Sequence, residues 1–78
     1  MVLKMTIKYI DASNLECPLP LLKTKLVIAK LASGDMVEIL ATDPTTWKDF
    51  ASYSKITGNK LLKAEKKEQK YTYLLQKK

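Results

Sequence analysis

The chain has no histidine, no arginine and only one cysteine among its 78 residues. A single cysteine excludes an intramolecular disulfide, and without histidine the usual ligands of zinc and of redox metals are missing. A catalytic pair of cysteine and histidine is excluded within one chain for the same reason. The composition therefore predicts a protein without a metal and without a cofactor.

Glycine and proline are also scarce, with two and three residues, whereas 46% of the chain is apolar. This balance is typical of a folded globular protein, and the length is near the lower limit for one hydrophobic core. We therefore predict a single domain over residues 1–78. No leader-like segment opens the chain, and no apolar run approaches the roughly 18 to 20 residues of a membrane span. These observations predict a soluble cytoplasmic protein without a membrane partner.

Basic residues outnumber acidic ones by 14 to 8, which gives a net charge of +6. A positive potential favours encounters with acidic partners, either nucleic acid or an anionic protein surface. The sign of the charge alone does not distinguish the two.

Hydrophobic spacing and turn residues divide the chain into six elements. Strands are predicted at 5–10, 36–42, 60–65 and 71–76, and helices from Pro18 to about Ala32 and within 42–58, with the charged segment 66–70 as a hairpin connection. The order βαβαββ predicts a two-layer α/β (α+β) sandwich, with two helices packed on one face of a four-stranded mixed sheet. The other face of the sheet is expected to be more exposed or used for contacts.

Three- and four-residue spacing predicts which face of each helix is buried. In the first helix the expected core face consists of Leu19, Leu22, Leu26 and Ala29, widened by Val27 and Leu31, with Thr24 outside it. In the second helix it consists of Trp47, Phe50, Ala51 and Ser54, with Asp43 as the cap, Pro44 as the first helical residue and Gly58 at the end.

Cys17 lies directly before the first helix, in the sequence "LECPLPLL" at residues 15–22. If Pro18 is the first helical residue, Cys17 is the N-cap, and the Leu19 amide is the free backbone donor near its sulfur. The positive end of the helix dipole lowers a cysteine pKa, whereas Glu16 opposes this effect, so moderate activation is expected. The alternative is a small buried cysteine, but sulfur is a poor cap, so this choice of residue favours a reactive thiol.

The segment "DASNLECPLPLLKTK" resembles the signature of the TusA/SirA-like small sulfur-carrier family, through Asp11, Leu15, Cys17, Pro18, Pro20 and Lys23. A second segment, "TDPTTWKDF", resembles the start of that family's second helix through Asp43, Pro44 and Asp49. The sequence differs from the family pattern at Asn14, where glycine is usual, and at Asn59, where many members have histidine. Asparagine tolerates the left-handed conformation that the first position requires.

The resemblance implies the βαβαββ sandwich and a persulfide carried on Cys17. It implies two protein partners, a cysteine desulfurase or other sulfur donor and a downstream sulfur acceptor. By this resemblance, Pro18, Leu19 and Pro20 present the sulfur of Cys17 to partner proteins. The family contains branches for tRNA thiolation, molybdenum cofactor and sulfur oxidation, and the C-P-L-P motif does not separate them.

A docking patch is expected around Cys17. Leu19 and Leu21 supply apolar surface, because Leu21 falls off the main helical stripe, and Lys23 and Lys25 supply positive charge. Lys23 is also a candidate for electrostatic support of the sulfur, with a solvated surface lysine as the alternative.

The alternative function is a basic nucleic-acid-binding or regulatory module, supported by the net charge and by lysines near Tyr71 and Tyr73. The absence of arginine and the wide distribution of lysine argue against nucleic acid as a direct ligand. A thiol redox switch is disfavoured because no second cysteine can resolve an oxidised Cys17.

Overall fold

A computed structural model describes residues 7–78 of the chain. Its elements are β1 (Ile7–Ala12), α1 (Leu19–Ile28), β2 (Met36–Ala41), α2 (Thr46–Thr57), β3 (Lys60–Lys67) and β4 (Lys70–Gln76). The predicted order βαβαββ is confirmed. The predicted first strand began at residue 5, and residues 5 and 6 lie outside the described part.

The four strands form one mixed sheet in the order β1-β2-β4-β3. β1 is parallel to β2, which requires the α1 crossover, and β4 is antiparallel to both of its neighbours. β2 and β4 are therefore the central strands, and every second side chain on them is buried beneath the helices. The core includes Val37, Ile39, Tyr73, Leu75 and Phe50, all fully buried.

The buried face of α1 differs from the prediction. Pro20, Thr24 and Ile28 point into the core, whereas Leu19, Leu22 and Leu26 are exposed. Both sets have helical spacing, and apolar residues occur on all sides of α1, so periodicity alone does not select a face. Thr24 can be buried because its hydroxyl donates to the Pro20 carbonyl oxygen at 2.8 Å, which satisfies the polar group within the helix. α1 also ends earlier than predicted, at Ile28, where the chain tightens into turns and buries Leu31.

The buried face of α2 was predicted correctly only at Phe50. Thr46 and Tyr53 complete it, whereas Trp47 and Ala51 are exposed. The Thr46 hydroxyl lies 2.7 Å from the Tyr73 hydroxyl, so the two buried polar groups satisfy each other. Gly58 ends the helix in the left-handed conformation, with φ of 80°, as its position predicts.

The hairpin between β3 and β4 is tighter than predicted. Lys66, Lys67 and Lys70 belong to the strands, and only Glu68 and Gln69 form the connection. β3 is an edge strand with most of its side chains exposed, so charged residues are accommodated within it and discourage pairing with other chains.

Candidate functional site

Cys17 lies in the loop between β1 and α1, and its thiol is exposed. Its exposure excludes the alternative of a small buried cysteine. Two loops meet here, because β1 and β2 are parallel and their carboxyl ends lie at the same edge of the sheet. The β1–α1 loop carries Cys17, and the β2–α2 loop carries Asp43.

The Cys17 loop is held by two hydrogen bonds to the second loop. The Cys17 backbone N–H donates to Asp43 Oδ2 at 2.6 Å, and the Asn14 N–H donates to the Thr42 hydroxyl at 2.9 Å. Asn14 has a φ of 63°, so asparagine takes the left-handed position where the family usually has glycine. Both contacts fix the backbone from which the thiol projects.

The prediction of Asp43 as the cap of α2 is wrong, because Thr45 occupies the N-cap position; Asp43 instead links the two loops. One carboxylate oxygen accepts hydrogen bonds from the Thr45 N–H and hydroxyl at 2.9 and 2.8 Å, and the other accepts the Cys17 N–H. The Thr45 and Cys17 amides lower the pKa of Asp43, because both donate to its charged form. The turn before α2 is thereby tied to the turn before α1, and α2 itself begins two residues after Pro44, at Thr46.

The start of α1 differs from the prediction by one residue. Pro18 is the N-cap and Leu19 is the first helical residue, so Cys17 lies just outside the helix. The Leu19 amide donates to the Glu16 carbonyl oxygen at 2.8 Å. It is therefore engaged within the turn, and its predicted role as a donor to the sulfur is wrong.

The thiol faces a carboxylate from α2. Cys17 Sγ donates a hydrogen bond to Asp49 Oδ2 at 3.0 Å, and Asp49 is half-buried. This contact raises the pKa of Cys17, since ionisation would place two negative charges in contact; Asp43 adds to the rise and the Thr45 side chain opposes it. The expected net lowering of the Cys17 pKa is wrong, because the carboxylates of Asp49 and Asp43 lie close to the thiol.

The two prolines of the motif lie in different environments. Pro18 is exposed, whereas Pro20 is fully buried in the core. Pro20 therefore cannot form part of an exposed rim, and its part in presentation is limited to fixing the start of α1 from inside.

The residues of the predicted docking patch do not form one exposed surface in the structure. Leu21 is half-buried and packs against the core, so it is not the exposed leucine that was expected. Lys23 Nζ donates to the Asp11 carbonyl oxygen at 3.3 Å, and Lys25 Nζ lies 5.9 Å from the centre of the Tyr53 ring. Leu19 remains at the surface, and the exposed apolar surface of α1 continues along Leu22 and Leu26.

A shallow open groove of about 700 Å³ begins at Cys17. The Trp47 and Tyr71 rings, 6.3 Å apart, lie along it, and Lys66 Nζ stands 5.7 Å from the centre of the Tyr71 ring. The groove is lined by Cys17, Pro44, Thr45, Trp47, Lys48, Asp49, Lys66 and Tyr71. We call it the Trp47 groove; it combines aromatic surface with two lysines and one carboxylate.

The hairpin tyrosines are not available for base stacking. Tyr71 and Tyr73 retain 6% and 0% of their surface, because both side chains pack against α2. This removes the support that Tyr71 and Tyr73 gave to the nucleic-acid alternative.

No group of three or more histidine, cysteine, aspartate or glutamate side chains within residues 7–78 could hold a metal ion. Over the same residues, no helix is long and apolar enough to cross a membrane.

The sequence indicated Asp43 as a helix cap and Asp49 as part of a resemblance, but it did not place either at the thiol. Asp49 is 32 residues from Cys17, and only the packing of α1 beside α2 brings them together. The one available signal was the second family-like segment, in which both aspartates occur.

The chain is a small two-layer α/β sandwich with an exposed thiol at one edge of its sheet. The crystal structure of a SirA-like protein from Desulfitobacterium hafniense superposes with a TM-score of 0.78 at 22% identity, and the match covers 91% of this chain and 96% of that one. At this identity the similarity establishes the fold alone.

The chain belongs to the sulfurtransferase TusA family, which matches residues 8–77. It is 40% identical over 68 residues to the sulfur carrier protein TusA of Allochromatium vinosum, which covers 87% of this chain and 90% of that protein. It is 35% identical over 72 residues to a putative sulfur carrier protein of Neisseria meningitidis serogroup A, with coverage of 92% and 97%.

Proposed function

We propose that residues 1–78 act as one sulfur-carrier domain in which Cys17 holds a persulfide. The observation that carries this proposal is the placement of the only thiol of the chain, exposed at the mouth of the Trp47 groove, in a member of a sulfurtransferase family. The relatives named as sulfur carriers support a role in sulfur relay.

Transfer follows the chemistry of thiol–disulfide exchange. The Cys17 thiolate attacks the outer sulfur of a donor persulfide, the donor's sulfur–sulfur bond breaks, and a new bond forms at Sγ. An acceptor thiolate later attacks the outer sulfur on Cys17 in the same way. Because the chain has no second cysteine, it cannot release the sulfur by forming an internal disulfide, so both steps need partner molecules.

We infer that the partners are proteins, a persulfide donor of the cysteine desulfurase kind and a thiol-bearing acceptor. A protein that approaches Cys17 meets the Trp47 groove on one side and the start of α1 on the other. Leu19 and Leu22 are exposed on α1 and Lys23 follows them, a combination of apolar and basic surface that suits an acidic protein face.

Intact-mass spectrometry of the protein purified without reductant from sulfur-replete cells tests the proposal. We expect a population heavier by one sulfur atom, which reductant removes and which Cys17→Ser lacks. Sulfinic acid adds a similar mass but survives thiol reductants, so the reduction step separates the two. Absence of the reducible adduct after incubation of the purified protein with a persulfide donor would contradict the proposal.

A further inference from the structure

Asp49 can accept a hydrogen bond from Cys17 Sγ in the empty carrier but not in the loaded one. Its carboxylate accepts the thiol hydrogen of Cys17 at 3.0 Å, and that hydrogen exists only when no sulfur is bound. In the persulfide, Sγ is bonded to carbon and to the outer sulfur, so it has no hydrogen to donate. The contact with Asp49 is therefore specific to the empty state.

We propose that Asp49 is a positioning residue that holds the unloaded Cys17 as a protonated, unreactive thiol and loses this hold when sulfur is bound. The proposal rests on the proposed function, because it assigns a role within the same transfer.

The charges around Sγ indicate why Asp49 should affect the empty state more than the loaded state. In the loaded state the negative charge resides on the outer sulfur, about 2 Å beyond Sγ along the new bond. Repulsion by Asp49 falls as the charge moves away from it, and the groove that begins at Cys17 also carries the amines of Lys48 and Lys66. The charged and titratable groups around Cys17 are Glu16 beside it, Lys23 of α1, Asp43 of the β2–α2 loop, Lys48 and Asp49 of α2, and Lys66 and Tyr71 of the hairpin.

The atoms balance without an oxidant or a reductant. A donor persulfide and the Cys17 thiol give a donor thiol and the Cys17 persulfide, since one sulfur–sulfur bond breaks and one forms. The hydrogen that leaves Sγ ends on the leaving donor thiolate, so the protons balance as well.

The physical consequence is a carrier that resists side reactions between transfers. Oxidation and alkylation require the thiolate, and the raised pKa of Cys17 reduces the thiolate population of the empty protein at neutral pH. The loaded protein is not held back in the same way, so the acceptor meets a reactive persulfide.

The test compares the pH dependence of alkylation of the empty and the loaded protein in Asp49→Asn and in Asp35→Asn. Asp35 is a matched control, because the same charge is removed in the turn before β2, at the opposite end of that strand from Asp43. We expect Asp49→Asn to shift the profile of the empty protein to lower pH, to raise its alkylation rate several-fold at neutral pH, and to shift the profile of the loaded protein much less. Asp35→Asn should leave both profiles in place.

An unchanged empty-state profile in Asp49→Asn would overturn the proposal, and so would an equal shift of both profiles, which would indicate only a general charge effect. The wild-type protein supplies a second measurement that needs no variant to fold. Its Cys17 should react only at higher pH than the same residue in the urea-unfolded chain; an equal or lower midpoint in the folded protein would contradict the proposal.

The sulfur-carrier function and the role of Asp49 can each be disproved without the other. If the protein never takes up sulfur, the sulfur-carrier function is wrong, whereas the empty-state profiles still measure the effect of Asp49. If loading proceeds but Asp49→Asn changes no profile, only the role of Asp49 is wrong.

Discussion

Pro18 and Pro20 are two residues apart in the sequence, yet one lies on the surface and the other in the core. Pro20 fills space beneath the first turn of α1, and its carbonyl oxygen accepts the hydrogen bond of the buried Thr24 hydroxyl. Pro18 has neither contact. The two prolines of one motif therefore serve different purposes, Pro20 in stability and Pro18 at the exposed side of the thiol.

Pro20→Ala should lower the free energy of unfolding by about 2 kcal/mol, because it leaves a small cavity and frees the unfolded backbone. Pro44→Ala, at the exposed proline before α2, should cost less than about 1 kcal/mol, since only the second effect applies at an exposed position. Denaturant unfolding measures both values. Equal effects of the two substitutions would contradict the buried placement of Pro20.

At the scale of the secondary-structure element, α1 has a buried side and an apolar exposed side. Ile28 is 5% exposed, whereas Leu26, two residues earlier, is 69% exposed. An exposed apolar stripe on a helix contributes little to folding, because its side chains remain in contact with water.

Ile28→Ala should destabilise the protein by about 3 kcal/mol through loss of core contacts, and Leu26→Ala by less than about 0.5 kcal/mol. Thermal or denaturant unfolding of the two variants distinguishes the observed face of α1 from the opposite face that leucine spacing favours. A larger loss for Leu26→Ala than for Ile28→Ala would show that the leucine face is the buried one.

The sequence was sufficient for the order of the elements because strand alternation, turn residues and helix ends are local signals. It was not sufficient for the face of α1, since the helix is apolar on every side and the choice depends on which side chains fit against β1 and β2. Thr24 shows why: a polar residue was assigned to the surface, but its hydroxyl is satisfied within the helix and can be buried.

The candidate site shows the same division between local and long-range information. The position of Cys17 directly before a helix followed from its neighbour Pro18, and its exposure was expected because a sulfur donor must reach the thiol. The rise in its pKa did not, because its main cause is Asp49 on the other helix. Electrostatics at a surface loop depend on the packing of distant segments, which spacing along the chain does not report.

At the scale of the whole molecule, the net charge of +6 should assist encounter with an acidic donor protein. Substitutions of two lysines at opposite ends of the molecule distinguish the effect of charge close to the Cys17 loop from the effect of the net charge. Lys23 lies on α1 and contacts Asp11 at the carboxyl end of β1, the end from which the Cys17 loop leaves the sheet. Lys60 begins the edge strand β3, paired with Gln76 at the far end of the sheet.

Lys23→Glu should slow sulfur loading from a protein donor at low salt, and added salt should reduce the difference from the wild type, because screening weakens attraction between exposed charges. Lys60→Glu makes the same change in net charge and should slow loading less. Stopped-flow or quenched loading at several salt concentrations measures both. Equal effects of the two substitutions would show that the partner does not dock beside α1.

The most direct test of the central claim follows one sulfur atom through the protein. The purified chain is loaded from a persulfide donor with isotopically labelled outer sulfur, separated from the donor, and mixed with a thiol-bearing acceptor while intact masses are recorded. The account predicts one labelled sulfur per chain, located on Cys17, which then leaves for the acceptor as the carrier returns to its unloaded mass. Label that never binds, that binds equally to Cys17→Ser, or that stays on the chain in the presence of the acceptor would contradict it.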